Sequence, residues 1–207
     1  LGDVYKRQES FAQAMTTVEQ TIAGYSERGI DAPFIGNHDT DRAAGILRYD
    51  PARIKEAAGL LLTMSGSPFV YYGDEIGLSG SGRDENKRAP MIWDDNGSGL
   101  TYGPPDMERQ ENRFESVEKQ LSDPDSILNY YKRALRIRNE NPEIARGTTE
   151  VLELSGNSGG DIAAVRRTWN GSSILIVYNL SDEAASLSDA ALELDSRNIR
   201  GYLAVSS

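Results

Sequence analysis

The order of apolar periods along this chain predicts an α/β layer with parallel strands, followed by an antiparallel all-β region. Three observations carry that expectation. Two short apolar runs, each closed by glycine and a polar cluster, bracket a helical pattern. Proline follows an aspartate at two helix starts, Asp50-Pro51 and Asp123-Pro124. Beyond about residue 145 the hydrophobic period changes from helical to strand-like.

At the N-terminus, Asp3-Val4-Tyr5-Lys6-Arg7-Gln8 is what GAT GTG TAT AAG AGA CAG encodes. That DNA is the end of a transposase adapter used to prepare sequencing libraries, so residues 1–8 are expected to be a scar outside the fold. The alternative is a native loop of the same sequence. Phe11, Met15, Val18, Ile22 and Tyr25 then recur at helical spacing, predicting an amphipathic helix over about 10–27. Ala32-Pro33-Phe34-Ile35 reads as a short buried strand that Gly36 breaks. Ile54, Ala57, Ala58, Leu61 and Leu62 mark one face of a helix over 53–63, with Asp50 as N-cap and Pro51 as first helical residue. A second buried strand, Ser67-Pro68-Phe69-Val70-Tyr71-Tyr72, ends in Gly73-Asp74-Glu75. Strand, polar loop, helix, strand and polar loop make a βαβ unit with parallel strands.

Residues 77–114 are rich in Gly, Asp, Asn, Pro and charge and lack periodicity, which points to a functional loop. Ile127, Tyr131, Ala134, Leu135 and Arg138 continue as a helix begun by Asp123-Pro124 and stopped by Asn141-Pro142. Strands are expected over 149–154, 162–169 and 173–180, the last two joined by Asn170-Gly171, a strong two-residue hairpin signal. Residues 201–207 read as a strand or its approach, so a further stretch of the β-region is expected beyond them.

Chemistry concentrates after the first strand. Asn37, His38, Asp39, Thr40, Asp41 and Arg42 follow Gly36, and His38 is the only histidine of 207 residues. Loops at the C-terminal ends of parallel strands carry the chemistry in alternating strand–helix folds. A structural reading is available too: Asn37 and Asp39 would cap a turn, with His38 a hydrogen-bonded imidazole. His38, Asp39 and Asp41 would also suit a divalent metal if other ligands joined them.

Three motifs in sequence order then resemble the α-amylase family of glycoside hydrolases, family 13. Phe34-Ile35-Gly36-Asn37-His38-Asp39 is similar to its F-x-x-N-H-D motif. Gly66-Ser67-Pro68-Phe69-Val70-Tyr71-Tyr72-Gly73-Asp74-Glu75 resembles its G-x-P-x-x-Y-x-G-x-E segment, and Arg88-Ala89-Pro90-Met91-Ile92-Trp93 its R-x-P-M-x-W stretch. The resemblance runs from about Glu9 through the C-terminal region. It implies the C-terminal part of a (β/α)8 TIM barrel over 9–144, followed by an all-β antiparallel sandwich domain over 145–207. It implies that Asp39 is catalytic, as the carboxylate that grips sugar hydroxyls as the transition state forms. It implies further that His38 and Asn37 bind or orient the same sugar, and that Arg42 contacts substrate or pairs with a carboxylate. Asp74 and Glu75 are expected to be architectural. In this family the nucleophile and general acid lie upstream of the F-x-x-N-H-D motif, and neither motif occurs in these 207 residues, so the chain alone is expected to be inactive. The resemblance calls for no cofactor in this stretch, with calcium a feature open to the complete enzyme.

Composition narrows the partners. A formal net charge of −10 argues against nucleic acid, whose phosphates call for basic surfaces. Zero cysteines exclude disulfides and thiol chemistry, and no apolar run reaches the roughly 20 residues of a membrane span. The expected partner is a starch-like α-glucan or malto-oligosaccharide, hydrolysed with retention. α-Glucosidase, oligo-1,6-glucosidase, neopullulanase and glucan transferase are the neighbouring readings. A non-catalytic glucan-binding or transporter-accessory homologue is the alternative of another class.

Overall fold

The computed structural model describes residues 11–152 and 162–181. The expectations for 1–8, 153–154 and 201–207 lie outside these residues, as do all of 182–207. What is described divides into two compact units, one within Leu1–Asp31, Thr63–Ser67 and Glu140–Ala204, the other within Ala32–Leu62 and Pro68–Asn139. In this grouping the first helix goes with the β-region.

In the first unit, three strands form one antiparallel sheet in the order β1-β2-β3: β1 Thr148–Leu152, β2 Ile162–Trp169 and β3 Ser172–Asn179. Val151 faces Val165, and Val165 faces Ile176, so β-branched side chains meet across both ladders. Asn170 and Gly171 both take positive φ, 49° and 77°, the two-residue turn whose twist matches that of the strands it joins. No second sheet packs on this one among the described residues.

Helix α1, Phe11–Tyr25, buries Ala12 and Met15, while Tyr25 at its end is 89% exposed. Its apolar stripe is therefore used only in its first turns. There the Phe11 ring meets Tyr178 edge to face at 5.1 Å. Burial pushes the Tyr178 hydroxyl up to about 12, and that hydroxyl shares a hydrogen bond of 2.9 Å with Thr63 Oγ1. Arg167 binds the unit together. Its guanidinium donates to Glu19 Oε1 at 2.8 Å, to the Gly147 carbonyl at 2.7 Å, to the Glu143 carbonyl at 3.1 Å and to Thr149 Oγ1. It thereby joins α1, β1, β2 and the end of α7, Pro142–Arg146.

The second unit is helical around Ala44, Ile54, Ala58, Leu62, Ile127, Tyr130, Tyr131 and Ala134. These come from α2 (Ala43–Ile46), α3 (Pro51–Thr63) and α6 (Ile127–Glu140); the short helices α4 (Asp84–Lys87) and α5 (Val117–Ser122) lie between α3 and α6 in sequence. Burying a side chain such as Leu62 contributes about 1.5–3 kcal/mol. Asp50 caps α3 as expected: its Oδ1 accepts the Ala52 and Arg53 N–H groups at 2.9 and 3.5 Å. Helix α6 starts later than the Asp123-Pro124 signal. Asp123 Oδ1 closes a turn on the Asp125 N–H, and Ser126 Oγ takes the cap by accepting from Asn129 N–H at 3.1 Å. Pro142 both ends α6 and opens α7, because a missing N–H is harmless in a first turn.

The two apolar runs of the βαβ reading pair in parallel, through one bridge, Phe34 to Phe69, with the Phe69 N–H 2.8 Å from the Pro33 carbonyl. They do not extend into full strands. Parallel strands persist when both faces are covered, and here Phe34 and Phe69 are 53% and 63% exposed.

Candidate functional site

Everything in the site belongs to the second unit. Just past the parallel bridge the chain turns sharply, and Asn37 makes the turn. Its Oδ1 accepts the N–H groups of Asp39 and Thr40 at 2.8 and 3.0 Å, and Thr40 Oγ1 accepts the Asn37 N–H at 3.0 Å. An asparagine side chain that bonds two residues ahead imitates a backbone turn. His38 and Asp39 are left pointing outward, with side chains 61% and 63% exposed and His38 Nε2 3.3 Å from Asp39 Oδ2.

The other carboxylate oxygen of Asp39 faces Arg88, whose Nη2 lies 3.3 Å from Oδ1. Arg88 also approaches Asp84 Oδ2 at 3.6 Å. Lys87, the preceding residue, is buried and donates from Nζ to the Asp39 carbonyl at 2.8 Å and to Asp84 Oδ1 at 3.2 Å. Sequence reasoning quoted Arg88 as part of a motif without placing it at the site, and it gave Lys87 no role. The signal available was the run of charges around α4, Asp84–Lys87.

Asp41 turns away from His38. Its Oδ1 accepts the Gly82 N–H at 3.0 Å and lies 3.9 Å from Lys87 Nζ. No group of three histidine, aspartate or glutamate side chains able to hold a metal assembles among the described residues. The His38, Asp39 and Asp41 alternative therefore finds no support.

Arg42 lies beneath the site, 1% exposed. Its N–H donates to the Gly80 carbonyl at 2.9 Å, its Nε to the Lys87 carbonyl at 2.9 Å and its Nη1 to the Tyr72 carbonyl. Nη1 is also 3.5 Å from Asp74 Oδ1, and the guanidinium carbon lies 4.1 Å from the Tyr71 ring centre and 4.8 Å from that of Tyr72. Of the two roles implied for Arg42, the geometry displays the pairing with a carboxylate. Burial pushes the Asp74 carboxyl up to about 6, outweighing the opposing pull of Arg42.

Two glycines make this arrangement possible. Gly73 has φ 89°, and a Cβ there would lie 2.7 Å from a Leu78 methyl. At Gly80 a Cβ would lie 2.4 Å from the Asn86 carbonyl and 3.1 Å from Arg42 Cγ. Glu75 Oε2 accepts the Gly73 N–H at 2.8 Å and so shapes the turn. The long segment beyond is held by Ile76, Leu78 and Ala89, with Met91, Ile92 and Met107 packed on them. Asn86 adds three hydrogen bonds, to the Ser81 carbonyl, Glu108 Oε2 and the Glu108 N–H. Residues without periodicity are thus fixed by a small apolar cluster together with polar contacts.

An exposed carboxylate with an imidazole beside it, held by Lys87 at its main chain and Arg88 at its side chain, offers acceptors and a donor to a polyhydroxylated ligand. The family model of the alpha-amylase catalytic domain matches residues 4–147. The alpha-amylase SusG of Bacteroides thetaiotaomicron is 32% identical over 86% of this chain and 26% of its own length. An oligo-1,6-glucosidase of Halalkalibacterium halodurans is 28% identical over 75% of this chain and 35% of its own. Among solved structures, Amy13B of Eubacterium rectale aligns with a TM-score of 0.79 at 36% identity, over 87% of this chain and 35% of that one. The chain thus spans about a quarter to a third of the length of these relatives. With a catalytic-domain match over most of its residues, and with a relative 32% identical over 86% of it, the chain belongs to the α-amylase family of glycoside hydrolases, family 13.

Proposed function

We propose that this chain is part of a retaining glycoside hydrolase acting on α-glucosidic bonds of starch-like glucans or malto-oligosaccharides. Residues 9–144 would form the C-terminal portion of its (β/α)8 barrel and residues 145–207 a β-sandwich domain. The observation that carries the reading is the exposed Asp39 carboxylate, 3.3 Å from both His38 Nε2 and Arg88 Nη2, just past a parallel-paired segment.

Retaining glycosidases use a nucleophilic carboxylate and a carboxylic acid that protonates the leaving oxygen; hydrogen bonds to sugar hydroxyls add several kcal/mol in the transition state. Asp39 belongs to that last group. Its oxygens would accept from hydroxyls of the sugar at the cleaved bond, while Arg88 holds the carboxylate's bearing. His38 would bond hydroxyls of the same sugar, and Asn37 would keep the two side chains pointing outward. Arg42 would act from below, by fixing the backbone of Tyr72 and Lys87. The nucleophile and acid would come from segments of the complete enzyme outside this chain. Residues 11–152 and 162–181 contain no cluster that calls for a metal, and calcium would be a matter for the complete enzyme.

In a complete enzyme carrying these residues, Asp39→Asn is expected to lower kcat on maltoheptaose about 10²–10³-fold, the usual cost of losing one preorganised transition-state partner. A correctly folded Asp39→Asn enzyme with near wild-type kcat would overturn the assignment. Assaying isomaltose beside maltoheptaose decides the linkage, since amylases and oligo-1,6-glucosidases both occur among the relatives.

A further inference from the structure

We infer that Lys87 is a positioning residue for Asp39: its buried ammonium sets the main-chain oxygen of that residue, and through it the direction of the carboxylate. The inference rests on the proposed role of Asp39. Lysine is usually a solvated point charge on a mobile stem, yet here the side chain is 9% exposed. Three oxygens surround Nζ: the Asp39 carbonyl at 2.8 Å, Asp84 Oδ1 at 3.2 Å and Asp41 Oδ1 at 3.9 Å. The first two accept hydrogen bonds from the ammonium, and the third adds an ion-pair contact. A planar guanidinium would spread its donors over a wider fork than this cluster of oxygens accepts.

The backbone of Lys87 is itself immobilised, because its carbonyl accepts from Arg42 Nε at 2.9 Å. Its neighbour Arg88 reaches the Asp39 carboxylate at 3.3 Å. Two consecutive residues therefore hold Asp39 at both ends, one at the main-chain oxygen and one at the carboxylate. Loss of the ammonium would leave the carboxylate paired with Arg88 but free to swing with its backbone. Small displacements of a group that works in the transition state are costly, about 10²-fold for 1 Å.

A double-mutant cycle in the complete enzyme tests this. Lys87→Met should lower kcat on maltoheptaose roughly tenfold or more while KM changes less than about threefold; in an Asp39→Asn background it should lower kcat less than about twofold. Equal losses in both backgrounds would overturn the inference and leave Lys87 a structural clamp. Near wild-type kcat in Asp39→Asn alone would instead sink the reading of Asp39 and the inference with it. Should Lys87→Met fail to fold, Lys87→Arg keeps the buried charge. It is expected to fold cooperatively with reduced kcat, because the guanidinium fork does not fit these oxygens, and unchanged kcat in that variant would overturn the inference.

Discussion

Two arginines are buried almost completely, one in each unit, and they are buried differently. Arg167, 0% exposed, meets the Glu19 carboxylate at 2.8 Å, two carbonyls and a hydroxyl. Arg42, 1% exposed, has its carboxylate at 3.5 Å, two carbonyls and two aromatic faces, and its Nη2 finds no acceptor among the described residues. The Asp74 Oδ2 atom opposite it is also without a donor there. Arg167 maximises satisfaction around one cation and ties a sheet to its helices. Arg42 accepts a poorer polar match and supports the segments that carry Asp39, Lys87 and Arg88. A protein tolerates unmatched polar groups more readily beside a site than in a purely structural joint.

The largest expected effect comes from breaking the better-matched joint. Arg167→Met should cost about 3 kcal/mol, since removing one partner of a buried pair leaves Glu19 with only the Thr149 hydroxyl and strips the Gly147 and Glu143 carbonyls of their guanidinium donors. The chain has two tryptophans, Trp93 in one unit and Trp169 in the other. Urea unfolding followed by Trp169 fluorescence in a Trp93→Phe background would read the loss directly. Arg42→Met should cost less, because Asp74 can take up a proton once its cation is gone. If Arg42→Met cost more, the contrast between the two joints would fail.

Next in size is a pH effect confined to Arg42's side. The Asp74 carboxyl is raised to about 6 from an ordinary value of 3.8, so its ionised form is disfavoured in the fold. Its contribution is fully present below pH 3.8 and is lost as pH rises through about 6. Relative to Asp74→Asn, the wild type should therefore gain up to about 3 kcal/mol between pH 7 and pH 4. Unfolding midpoints of the two proteins across that range measure it. A constant difference would mean that Asp74 is better satisfied than its geometry indicates.

The smallest effect isolates the aromatic contribution. Tyr71→Leu removes the nearer ring beneath Arg42 and should cost about 1–2 kcal/mol, by calorimetry at pH 7. An unchanged midpoint would assign the whole stabilisation of Arg42 to the two carbonyls, Asp74 and the Tyr72 ring.

The β-hairpin, the cap at Asp50 and the residues of the site loop were legible because each is encoded locally. Asn170-Gly171 has one preferred turn, and Asp50-Pro51 one preferred helix start. The start of α6 was misplaced because Asp123 and Ser126 both offer a capping oxygen, and Ser126 is the one set by its contacts, with Oγ donating to the Gln120 carbonyl. The parallel strands were legible in type and overestimated in extent, since the extent of pairing depends on cover that local sequence does not record. At the candidate site, Asn37, His38 and Asp39 were singled out through their motif. The contacts of Lys87 and Arg88 with Asp39 escaped because they join residues 48 and 49 apart in sequence. Arg42 showed its charge in the sequence but not its burial against Tyr71 and Tyr72.

The same span governs when the site forms. The hairpin brings Trp169 and Ser172 together across two residues, whereas the Lys87–Asp39 contact must close a loop of 48. Chain entropy sets that closure back by roughly 2 kcal/mol relative to the hairpin. A contact so delayed is absent from an early transition state and is among the first to open afterwards. The charge cluster around Asp39 is thus a late acquisition of the folding chain, and substitutions within it register as faster unfolding with little change in the folding rate.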